Sequence, residues 1–234
     1  MDNNEEFLQT IQQAFHKYLL TSSRSNEKLI ILHGKISNDL QEILPDYTIQ
    51  SLGIGNGKEK SITGRYLDKK VDIKISKNNK TICGIAVKYV MSNYSQNSNN
   101  YFENMLGETA NIRSYNIPYF QILILQEKMP YFKDDGTIAK IEEITEHNID
   151  KYIKLSNDNS DNYMHTPNKT LLVITKIPEI SLSIIKTKQD YNSNYQNANV
   201  NYSNKFHQNM FGNNIIVNDY KQFIEKIVYY IKSI

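Results

Sequence analysis

One cysteine, no tryptophan, no long apolar run and almost no charge imbalance mark this 234-residue chain. The single Cys83 excludes an internal disulfide framework and a cysteine-based zinc site. Lying in a stretch of strand-like composition, it reads as a small buried hydrophobe. No apolar run approaches the roughly 20 residues that a membrane span needs. The first six residues are acidic and polar, and no signal-peptide core follows them. The expectation is a soluble, cytoplasmic protein with no membrane partner. A net charge of only +2 means that affinity for a polyanion must come from charge placement rather than bulk charge. The absence of tryptophan beside 17 tyrosines and many asparagines reads as compositional drift in the source.

What is present suffices for one medium domain with a sizeable core. Phe7, Leu8, Ile11, Phe15, Tyr18 and Leu19 recur at helical spacing over 3–20. After a polar break at 21–26, Leu29, Leu32, Ile36, Leu40 and Ile43 predict a second helix over 26–44. Ser25 or Asn26 is its candidate cap, and Pro45 its stop. Extended segments follow at 47–54, at 59–76 with a bend near Gly64, and at 81–90. The last is entered through a hairpin-like turn at Lys77-Asn78-Asn79-Lys80. A helix over 99–115 and a buried strand over 119–125 complete an α/β core spanning 26–126. Beyond it, 128–136 reads as a loop, 138–155 as mixed with helix near Ile149, and 171–177 as a strand. Residues 180–185 are ambiguous, and 219–234 are helical. The tract 191–214 is rich in Asn, Tyr, Ser and Gln without periodicity, and reads as disordered or as a partner-binding loop. No internal repeat is present.

Within the core, ionisable groups interrupt apolar strands. Asp72 lies inside Val-Asp-Ile-Lys-Ile and Lys88 inside Gly-Ile-Ala-Val-Lys-Tyr-Val, with Glu103 and Glu108 on the helix that follows. A charge in an apolar β run is costly unless paired or metal-bound. Strand parity sets Asp72 opposite Val71, Ile73 and Ile75, and puts Ala86, Lys88 and Val90 on one side, so Asp72 and Lys88 can converge. Carboxylates holding Mg²⁺, with a lysine to orient or deprotonate water, suit phosphodiester hydrolysis.

This pattern resembles the PD-(D/E)XK nuclease superfamily, and within it the type II restriction endonucleases. The family core runs helix, three strands, helix, strand. Its motif, an Asp and then an acid, any residue and Lys on the next strand, falls on Asp72, Ala86, Val87 and Lys88. Ala86 stands where the second acid is expected. Some restriction endonucleases of this superfamily recruit that acid from the following helix, fourteen or fifteen residues after the Lys. The resemblance therefore implies Glu103, fifteen residues after Lys88, as first choice and Glu108 as second. The two are five apart and do not share a helix face well, so one ion would not take both. It further implies Mg²⁺ as cofactor, double-stranded DNA as substrate and a homodimer matching a palindromic site. The region 127–234 would be an elaboration used in DNA recognition.

For DNA contact, Asn199 and Asn201 suit adenine readout and Lys205 a phosphate. Lys58, Lys60, Arg65, Lys69 and Lys70 give the approach to the Asp72 strand a basic character. Other readings stand beside these. Asp72 and Lys88 can be charges that protect sheet edges. Glu103 and Glu108 can be solvated helix charges, and the basic run a solvated face. His33, on or beside the apolar stripe of the second helix, reads as packed against the core rather than catalytic. Asp39 and Glu42 share that helix, with no motif selecting either. A structure-specific or repair nuclease, an inactive DNA-binding module and a protein with no nucleic-acid role all remain open.

Overall fold

The computed structural model describes residues 3–21, 25–55 and 57–233. Residues 22–24 of the polar break, Asn56 of the glycine-flanked turn and Ile234 lie outside them. Among the described residues, six α-helices flank a central mixed sheet. Helix α1 spans Asn3–Leu20 and α2 spans Glu27–Ile43, as their periodicity predicts. Ser25 rather than Asn26 serves the α2 entry: its hydroxyl accepts from the Glu27 backbone N–H at 3.3 Å, while Asn26 makes no side-chain cap.

Strands β1 (Thr48–Ser51), β4 (Ile73–Lys77) and β5 (Lys80–Val90) are antiparallel neighbours. Asn78 and Asn79 turn the β4–β5 hairpin with φ of 50° and 62°, in the left-handed region that asparagine tolerates. Helix α3 (Tyr94–Arg113) then crosses over to β6 (Tyr119–Gln126), parallel to β5. Strand β9 (Lys169–Lys176) lies parallel to β6. Two short strands, β10 (Asn201–Tyr202) and β11 (Ile215–Val217), flank β9 on its other side. All eight residues of β6 are buried, because β6 is central and covered on both faces. Phe120, Ile122 and Ile124 join the core under α1, α2 and α6 (Tyr220–Ser233). Leu123 and Leu125 join a second core with Met105 of α3 and with Ile149 and Tyr152 of α4 (Glu146–Ser156).

Several segments differ from the sequence reading. The long 59–76 strand is three pieces: β2 (Lys60–Thr63), β3 (Asp68–Val71) and β4. β2 and β3 form a separate hairpin, and Asp72 occupies the break between β3 and β4 rather than a strand interior. Helix α3 begins at Tyr94, not near 99. Asn93 makes reciprocal side-chain bonds with the Phe132 backbone (2.8 and 3.1 Å), and the Glu142 carboxylate accepts from Ser95 at the helix start. A carboxylate at a helix N-terminus offsets poor intrinsic propensity in Ser/Asn-rich first turns. Residues 128–136, read as a loop, contain β7 (Lys128–Phe132), paired with β8 (Ile138–Glu143). The 191–214 tract is not a featureless loop. It holds the end of α5 (Lys188–Tyr195), then β10 and a 3-10 turn at Gln208–Met210. A Thr187/Asp190 capping box starts α5, and Tyr191 and Tyr195 are buried in the main core.

Candidate functional site

The break at Asp72 has a structural cause. β4 pairs with β5 only from Ile73↔Ile85 onward, while β3 leaves the sheet to pair with β2. The chain therefore parts from β5 at Asp72, and a side chain there enters the opening. The β2–β3 hairpin is held against α3 by Asn111. Its Oδ1 accepts from the Tyr66 and Leu67 backbones (2.9 and 3.3 Å), and its Nδ2 donates to the Leu67 carbonyl at 2.9 Å. Gly64 permits this, since a Cβ there would lie 2.1 Å from Asn111 Nδ2. Across the sheet, Gly84 leaves room for the Tyr119 ring, 2.9 Å from where its Cβ would stand.

A cleft of about 350 Å³ opens at this point. Asp72, Lys88, Glu108 and Gln121 bring its polar groups; Tyr101 of α3 and Tyr152 of α4 wall it. Asp72 Oδ2 accepts from the Val87 backbone N–H at 2.6 Å, which fixes one carboxylate oxygen. Burial pushes the Asp72 carboxyl up to about 6. Glu108 adds to the rise, and the Val87 bond, Lys88 and Lys69 oppose it. Lys88 Nζ sits 4.3 Å from the Tyr101 ring centroid, a cation–π contact that steers the ammonium toward the cleft. At Lys88, β5 is paired with β6 alone, because β4 joins it only as far as Ile85; Lys88 therefore lies where the β3–β4 chain has parted from the sheet.

The two helix carboxylates separate clearly. Glu108 lines the cleft and is ion-paired with Lys69 of β3. Glu103 is exposed and outside the cleft lining, near Lys151 of α4. The structure thus gathers Asp72, Lys88 and Glu108 and leaves Glu103 aside. Lys58 and Lys70 are exposed on the hairpin side of the molecule. Asn199, Asn201 and Lys205 belong to the opposite edge, where β10 lies beyond β6 and β9 from β5, and none lines the cleft. Asn199 and Asn201 are exposed there, whereas Lys205 is ion-paired with Glu143.

Two polar groups of the site had no clear sequence signal. Gln121 is the register partner of Ala86 and is 5% exposed, within 3.4 Å of the Thr109 hydroxyl. Its position inside an apolar run was the one available hint. His33 is buried as expected, but not satisfied. Among the described residues neither ring nitrogen has a hydrogen-bond partner, and burial pushes its pKa down to about 4, with Glu59 opposing. Its Nε2 lies 3.8 Å from Asp72 Oδ1.

Asp72 and Glu108 each offer carboxylate oxygens to the cleft, the donor type that a hard divalent cation takes. No protein-family model, curated protein or solved structure matches the chain. Among the described residues, no helix is long and apolar enough to cross a membrane.

Proposed function

We propose that this protein is a divalent-metal-dependent nuclease on a restriction-endonuclease-like core, and within that class a type II restriction endonuclease acting on double-stranded DNA. The observation that carries the reading is the meeting of Asp72, Lys88 and Glu108 in one cleft. They come from a strand break, the neighbouring central strand and the following helix. Asp72 and Glu108 would hold the cation, which supplies charge neutralisation at the phosphate and a polarised water. The Lys88 ammonium would orient the attacking water and stabilise charge on the phosphoryl oxygens. The exposed Lys58 and Lys70 would meet DNA phosphates. Asn199 and Asn201, on the far edge, would require the duplex, or the second subunit of a homodimer, to extend beyond the cleft.

The test is incubation of unmethylated plasmid or phage DNA with the protein, with Mg²⁺ and with EDTA. Discrete metal-dependent fragments support restriction, and a smear points to a nuclease without sequence preference. A second reading, an inactive DNA-binding module, is favoured by Ala86 at the motif's acid position and by the Lys69–Glu108 ion pair, which engages the remaining helix carboxylate. DNA left intact under every condition, but bound with steep salt dependence, would select it.

A further inference from the structure

Asp72 faces two ways. Oδ2 is fixed by Val87, whereas Oδ1 points toward His33 on α2. The packing of α2 makes this approach rigid. A Cβ on Gly53 would lie 2.3 Å from Gly34 Cα, and Ser37 donates to Ser51 at 2.8 Å, so α2 is locked onto the turn after β1. His33 is 0% exposed, yet among the described residues neither of its ring nitrogens has a hydrogen-bond partner. A fully buried imidazole with no protein partner among the described residues is a polar group that a bound ion would satisfy.

The 3.8 Å between His33 Nε2 and Asp72 Oδ1 is too long for a hydrogen bond. It suits two ligands of one ion, since bonds of about 2.1 Å each put donors up to about 4.2 Å apart. Glu59, half-buried just before β2, brings a third donor: the three ligand atoms lie within 4.8 Å of one another, so side-chain adjustments of under about 1 Å would bring all three inside that limit. We infer that His33, Glu59 and Asp72 form a transition-metal site with one nitrogen and two oxygen donors, on the α2 side of Asp72. The imidazole donor favours a first-row transition ion over Mg²⁺, and Mn²⁺, which also takes carboxylate oxygens readily, is a paramagnetic probe for such a set. The site shares Asp72 with the proposed nuclease centre, but its occupancy does not depend on DNA cleavage.

The test uses the full chain, stripped with EDTA and titrated with Mn²⁺ alone. Pulsed electron paramagnetic resonance then reads ¹⁴N coupling to the bound ion. Expected is an imidazole ¹⁴N signal in the unaltered protein, its loss in His33→Gln, and its persistence in Glu108→Gln. His33→Gln should also weaken Mn²⁺ binding at least about tenfold, the scale on which even supporting residues act. Glu59→Gln should weaken binding while keeping the ¹⁴N signal, and with the unaltered protein it decides the matter if His33→Gln does not fold. No Mn²⁺ binding, binding without ¹⁴N coupling, or coupling that survives in folded His33→Gln would each overturn the inference. Mg²⁺-dependent cleavage without ¹⁴N coupling would leave the nuclease standing and remove this site. Coupling without cleavage would do the reverse.

Discussion

Replacing Asp72 by Asn should make the metal-free protein more stable. The Asp72 carboxyl, ordinarily near 3.8, is pushed up to about 6, chiefly by burial. An acid raised in the native state favours the protonated fold. Stability is therefore lost as pH rises from about 4 to about 6 and stays lost above that. At about 1.36 kcal/mol per pKa unit, a rise of about two units costs up to about 3 kcal/mol near pH 7.5 and about half that near pH 5. The side chain is 27% exposed, so some of this is screened and about 1–3 kcal/mol is the expected gain at neutral pH. Asparagine keeps an oxygen for the Val87 N–H and offers an amide N–H toward the bare His33 ring. For a domain of this size the gain corresponds to about 2–12 °C in Tm.

Urea unfolding in EDTA near pH 7.5 and near pH 5 measures it. His33, pushed down to about 4 chiefly by burial, is mainly neutral at both. The expected result is a more stable Asp72→Asn protein whose advantage shrinks by about half at the lower pH. Saturating Mn²⁺ should reverse the ranking, because only the parent gains full binding energy. An Asp72→Asn protein no more stable than its parent at neutral pH, or with the same advantage at both pH values, would refute the argument that Asp72 is a desolvated carboxylate lacking its cation.

Lys88→Ala should reduce DNA cleavage by at least about 100-fold, the usual scale for a positioned proton-transfer or charge-stabilising group. The exposed ammonium is not needed for folding, so the circular dichroism melt should stay put. Glu108→Gln should lower both cleavage and Mg²⁺ affinity, whereas Glu103→Gln should change neither; a titration of rate against Mg²⁺ separates them. Asn111→Ala removes three hydrogen bonds that tether the β2–β3 hairpin and should cost about 2–3 kcal/mol, at about 1 kcal/mol each. Faster trypsin cleavage at Arg65 would report the freed hairpin.

The helices with clean 3.6-residue stripes, α1, α2 and α6, were legible, as were the β4–β5 hairpin and β6. In each the local pattern and the tertiary environment agree. Segments stabilised by distant partners were hidden. Asn93 and Glu142 start α3 early, and two buried tyrosines order α5 within an Asn-rich tract. No window of composition reveals either. Asp72 and Lys88 stood out because a charge within a β run demands an explanation. The break at Asp72 did not, because β3 and β4 both have strand-like composition and only their different pairing partners separate them. Choosing between Glu103 and Glu108 needed the rotation of α3 about its axis, which spacing from Lys88 does not encode.

Ala86 bears on how the cleft is built. It shares the α3-facing side of β5 with Lys88, pairs with Gln121 on β6, and packs beside Val71 and Ile112. A carboxylate there would add a third acid beside Asp72 and Glu108 on an already desolvating wall. That would raise the Asp72 carboxyl further, since like charges in a shared site resist joint ionisation. With alanine, the acid arrives instead from α3, where Lys69 on the hairpin can balance it. Charge on the helix side of the cleft is thus offset, while on the α2 side Asp72 faces the buried His33 and the acidic Glu59. The carboxylate is undercompensated toward α2, which is the side on which a divalent cation would relieve both it and the unpartnered imidazole.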